Sequence, residues 1–93
     1  MGLIMNAEEL GRIIRFHRKQ AGLTQLELSR LAGLGKATVF DIEKGKQTVQ
    51  LKSILQMLNT LNISLTWESP LKELFSETSQ ADTQTKQHKG EEQ

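Results

Sequence analysis

The side chains with chemistry to offer are mostly cationic, and they gather in the first half of this 93-residue chain. Residues 1–46 hold eight Lys/Arg against five Asp/Glu, a net of +3, whereas residues 47–93 hold four against six, a net of −2. A basic half suits a polyanion such as a phosphate backbone, although a solvated basic face would look the same on charge alone. Other chemistries lack their residues. Nucleophilic catalysis wants a nucleophile beside an oriented base, and the two histidines, His17 and His88, lie far apart with no credible triad. The chain has no cysteine, so disulfides and thiolate metal sites are excluded, and two distant histidines do not make a zinc ligand set. Gly33 and Gly35 stand alone, without the rest of a phosphate-binding loop. The expectation is a protein that is not an enzyme and needs no metal or cofactor.

The elements that must position those cations are helical. Asn6 with Glu9 three residues on is a variant of the capping box, and Leu10, Ile13, Ile14, His17 and Ala21 follow at helical spacing. Gly22 ends this first helix, whose other faces carry Arg12, Arg15, Arg18 and Lys19. Thr24 and Glu27 form a second capping box, and Leu28, Leu31 and Ala32 supply a short apolar stripe before Gly33. Leu34 plugs inward and Gly35 permits a sharp change of direction. A third helix runs from about Lys36 to Lys44, with Val39 and Ile42 toward the core and Gly45 at its end. A fourth covers about Leu51 to Leu61, burying Leu51, Ile54, Leu55, Leu58 and Leu61 with Met57 beside them, and Asn62 caps it.

The period then changes. Ile63, Leu65 and Trp67 alternate with Ser64 and Thr66, which reads as a short strand. A lone strand leaves its backbone groups unpaired, so the expected partner is the same segment of a second subunit across a two-fold axis. Ser69 and Pro70 open a further turn bearing Leu71, Leu74 and Phe75. Residues 1–75 are thus expected to form one binding and dimerisation domain, and residues 76–93, lacking large apolar side chains, a disordered polar tail. No apolar run approaches the roughly 20 residues of a membrane span, and the start has neither a secretion signal nor a myristoylation pattern. The expected location is the cytoplasm.

Two short helices joined by a tight glycine-containing turn are the physical form of the helix-turn-helix. Its logic is steric, because the second helix must protrude so that its first residues reach base edges in the major groove.

The residues Gly22-Leu23-Thr24-Gln25, Leu28, Gly33-Leu34, Thr38-Val39, Ile42-Glu43 and Gly45-Lys46 resemble the Cro/C1-type (XRE) repressor family in order and spacing, over roughly residues 8–65. With the run Leu51 to Trp67 added, the chain is similar to the HipB-like antitoxins, DNA-binding partners of HipA-type kinases in toxin–antitoxin operons. The resemblance implies an all-α, lambda-repressor-like bundle of four to five helices, plus the strand pairing across a dimer. It also implies roles. Gln25 would bond a phosphate and brace the first recognition residue, and Lys36, Ala37 and Thr38 would form the first turn of the recognition helix. A lysine at 36 can donate to guanine O6/N7, Ala37 can touch a thymine methyl, and Thr38 can bond base or phosphate. Phe40 would pack on thymine methyls or else cover a neighbouring helix. Asp41 can accept from a cytosine amino group but repels phosphate. Lys44 and Lys46 would meet phosphate, which supplies affinity and register rather than sequence choice. Arg18 and Glu43 resemble the family's buried ion pair, a structural element. The implied partners are duplex DNA with inverted half-sites, a second copy joined through Ile63, Leu65 and Trp67, and a HipA-like kinase toxin. Leu71, Leu74 and Phe75 would either dock on that toxin or finish the dimer core. Two other readings remain: a stand-alone phage or plasmid type of repressor, and an adaptor that has lost DNA binding.

Overall fold

The structure is a computed structural model. It describes residues 6–77, so the N-terminal residues 1–5 and nearly all of the expected polar tail lie outside the described residues. Four helices follow one another: α1 (Ala7–Gln20), α2 (Gln25–Ala32), α3 (Lys36–Lys44) and α4 (Leu51–Thr60). A short helical stretch over residues 72–77 follows them.

Local chemistry explains where the helices start. The Asn6 side chain accepts from the Glu9 backbone N–H at 2.7 Å. Thr24 and Glu27 exchange both bonds of a capping box, at 3.0 and 2.9 Å. Each cap satisfies N–H groups that have no partner inside the helix, which stabilises the start by about 1 kcal/mol.

All four helices stop by the same device. After α2 the Leu34 N–H reaches back to the Ser29 carbonyl at 2.9 Å, and after α3 the Lys46 N–H reaches Asp41 at 3.0 Å. The same six-residue closure joins Leu23 to Arg18 and Ile63 to Leu58. It requires a left-handed residue inside the loop, a conformation glycine adopts without steric cost. Gly33 and Gly45 supply it at φ 72° and 84°, and Asn62 does so at φ 59°. Leu23, Leu34 and Ile63 then fold inward against the core. At the end of α3 the equivalent apolar contact is replaced by an ion pair, Lys46 to Asp41 at 3.5 Å.

Ile14, Leu28, Val39, Ile42, Met57 and Leu58 form the core, one or two from each helix. The buried face of α2 is turned relative to the sequence expectation. Leu31 is 64% exposed, while Ser29 is buried with its hydroxyl donating to the Leu26 carbonyl at 2.7 Å. Leu51 and Leu55 of α4 are also exposed, and Met57, expected only beside the stripe, is fully buried.

Two backbones come unusually close. A Cβ placed on Gly11 would stand 2.5 Å from the Ile42 carbonyl oxygen and 2.6 Å from that of Glu43. Glycine at position 11 therefore lets α1 lie directly on the end of α3. Gln56 of α4 adds a polar link, donating through Nε2 to the Ala32 carbonyl at 3.0 Å.

The expected strand at Ile63, Leu65 and Trp67 is absent from the described chain: residues 63–69 belong to no helix or strand. A strand is defined by its pairing, and one copy of the chain offers this segment no second edge. Its side chains pack locally instead, with Trp67 edge-to-face on Phe75 at 5.2 Å and the Lys72 ammonium 5.8 Å from the Trp67 ring centre.

Candidate nucleic-acid interface

Helix α3 has two unlike faces. Val39, Ile42 and Glu43 are buried, whereas Lys36, Ala37, Phe40 and Lys44 point outward and are exposed. Thr38 and Asp41 lie at the boundary, half-buried. The helix is thus anchored along one side and presented along the other. Its N-cap, Gly35, has extended backbone and no side-chain cap, so the first turn meets solvent uncovered.

The anchor is a buried polar network. Arg18 Nε contacts Glu43 Oε2 at 2.6 Å, and Nη2 contacts Oε1 at 3.0 Å, a bidentate pair with both side chains nearly inaccessible. Arg18 Nη1 also donates to the Leu23 carbonyl at 2.9 Å, so one guanidinium ties α1 to both the turn and α3. Gln25 Nε2 donates to Glu43 Oε1 at 3.1 Å, drawing the start of α2 into the same network. Removing one partner of such a pair strands a buried charge, at a cost of about 3–5 kcal/mol.

Phe40 is 47% exposed and does not bury itself under a neighbouring helix; the Lys44 ammonium sits 5.6 Å from its ring centre. Asp41 is engaged by Lys46 across the end of the helix. Two clefts flank α3. One, of about 180 Å³, lies toward α4 between Thr38, Asp41, Lys46, Thr48, Gln50 and Ser53. The other, of about 450 Å³, lies toward α1 and is lined by Arg12, Arg15, Lys19, Gln25, Phe40 and Lys44, with Arg18 and Glu43 also in its wall. Sequence reading assigned no role to Arg12, Arg15 or Lys19. Their spacing of three and four residues was the available signal, since it sets them on one side of a helix. The polar residues Thr48, Gln50 and Ser53 carry no such signal.

A helix buried on one side, bare at its N-terminus and bordered by cations is the arrangement that defines a DNA-binding helix-turn-helix protein. The comparisons with known proteins agree. Residues 14–67 match the helix-turn-helix family HTH_3. An uncharacterized HTH-type transcriptional regulator, y4mF of Sinorhizobium fredii, is 39% identical over 62 residues, which cover 67% of this chain and 82% of the relative. The chain belongs to the XRE-type helix-turn-helix family of DNA-binding transcriptional regulators. Among solved structures, a chain of a HipA–HipB–O2–O3 complex matches with a TM-score of 0.68 at 26% identity, covering 75% of this chain and 99% of that one. The restriction-modification controller protein C.AhdI from Aeromonas hydrophila matches with a TM-score of 0.57 at 33% identity, covering 62% and 88%. No helix among the described residues is long and apolar enough to cross a membrane.

Proposed function

We propose that this protein is a sequence-specific repressor that binds an inverted-repeat operator as a homodimer. We further propose that it is the antitoxin of a HipBA-type operon, repressing that operon in the cytoplasm and binding a HipA-like kinase toxin. The observation that carries the DNA reading is the exposed face of α3, held rigid from behind by Arg18 and Glu43.

Each outward residue then has a task. Lys36 donates to guanine O6/N7, Ala37 and Phe40 touch thymine methyls, and Thr38 bonds a base or phosphate. Asp41, steered by Lys46, accepts from a cytosine amino group at the groove edge. Gln25, Lys44 and Lys46 meet phosphates, fixing register. Dimerisation is supported by the apolar side chains this chain leaves in solvent: Leu51, Leu55, Leu65 and Trp67 are all exposed. Ile63, Leu65 and Trp67 pair with their two-fold copies, which supplies the missing strand edge. The antitoxin role is supported by the fold shared with HipB, solved both with HipA and with operator DNA. The similarity to C.AhdI favours a second reading, a regulator without a toxin.

A gel-shift against the upstream region of its own gene tests the DNA reading. A sequence-specific band is expected on a duplex with inverted half-sites about 34–36 Å apart. Lys36→Ala should cost about 1–3 kcal/mol and relax specificity at one base pair. An adaptor gives no such band. Co-expression with the product of the adjacent reading frame tests the antitoxin reading, and recovery of only the free dimer supports the stand-alone regulator.

A further inference from the structure

We propose a second phosphate clamp, in which Arg12, Arg15 and Lys19 of α1, with Lys44 of α3, hold backbone phosphates of one DNA strand beside the recognition helix. This rests on the DNA-binding reading above and extends its contact surface to a helix outside the helix-turn-helix.

The cleft between α1 and α3 is lined by five cationic side chains and a single carboxylate, Glu43. That carboxylate is spent, being buried and bonded to Arg18 and Gln25. Among the described residues, Arg12, Arg15, Lys19 and Lys44 have no ion-pair partner. The acidic residues of α1, Glu8 and Glu9, sit in its first turn and do not line the cleft. Like charges crowded without counter-charges repel, and a polyanion relieves this repulsion on binding.

The cleft also has the right place and length. It shares Phe40 and Lys44 with the outward face of α3, and Gln25 at the start of α2 borders it. A strand whose bases are read by α3 would therefore pass along it. Positions 12 to 19 span about 10 Å of helix, about the length of three base-pair steps. The opposite flank differs in kind: its one cation, Lys46, is matched by Asp41.

Salt dependence of binding tests the clamp, because each phosphate contact contributes a slope of about 0.9 in log affinity against log salt. The full chain and its Arg12→Gln/Arg15→Gln/Lys19→Gln variant are titrated against the operator and against an unrelated duplex at 50 and 200 mM salt. Raising the salt should weaken the wild type about 40-fold more than the variant, equally on both duplexes, with the specificity ratio unchanged. Arg15→Gln alone should lower the slope by about one unit, and Arg30→Gln, exposed on α2 outside the cleft, should leave it unaltered. All three positions are exposed, and a thermal melt verifies that the variants fold. Equal slopes for wild type and triple variant overturn the clamp and leave the DNA reading standing, as does a loss confined to the operator. Failure of the wild type to bind either duplex overturns both.

Discussion

The helical body, residues 7–60, and the segment after it, residues 61–77, solve the problem of apolar side chains in opposite ways. In the body, each helix sends a residue to a common core, each end is closed by backbone bonds, and the buried charges Arg18 and Glu43 are paired with each other. In the segment, Leu65, Trp67, Leu71 and Phe75 stay about half exposed or more, and their aromatic contacts are local. At its start, Leu61 and Ile63, where α4 closes, still pack on the core. The contrast teaches that the body carries its own stability, whereas the segment holds apolar surface that a second molecule can complete.

The contrast can be broken at graded depths. The largest effect is expected from Arg18→Ala, which leaves the Glu43 carboxylate buried without its partner. Chemical denaturation should show a loss of about 3–5 kcal/mol, enough to unfold a marginal domain. A loss below about 1 kcal/mol would mean that the pair does not tie α1 to α3. Gly11→Ala comes next. Its new methyl meets two carbonyl oxygens of α3 rather than a flexible side chain, and a cost of about 1–3 kcal/mol is expected in the same measurement. Thr24→Ala removes one half of the capping box and should cost about 1 kcal/mol, seen as a lower denaturation midpoint with an unchanged slope.

The smallest effect on the body should come from Leu65→Ser/Trp67→Ser. Extrapolated to low protein concentration, where the monomer melts, the change should stay within about 0.5 kcal/mol. Light scattering should nevertheless show the dimer lost, and operator affinity should fall with it. A variant that remains dimeric would sink the pairing of these segments. Cutting the chain after Asn62 is a poorer test, since it also removes Ile63 and with it the closure of α4.

Much of this fold was legible in the sequence because the signals are local. Asn6, Thr24 and Glu27 announce helix starts, and Gly22, Gly33, Gly45 and Asn62 mark ends where a left-handed residue is needed. The outward set on α3 followed from the resemblance and from the inward pair Val39 and Ile42. Periodicity was less exact about which leucines go inside. It placed Leu31, Leu51 and Leu55 in the core, where the structure leaves them exposed, and it read a strand over a segment that in the single chain belongs to no helix or strand.

Composition and spacing alone determined that the chain makes short helices with glycine-closed ends and carries its excess positive charge in the first half. The tertiary structure decided which side of α2 turns inward, why position 11 must be glycine, and which arginines share a cleft with the exposed side of α3. Those outcomes depend on contacts between different helices, such as the approach of Gly11 to the carbonyls of Ile42 and Glu43. A helical repeat records the face of one helix and holds no information about how closely the next one will lie.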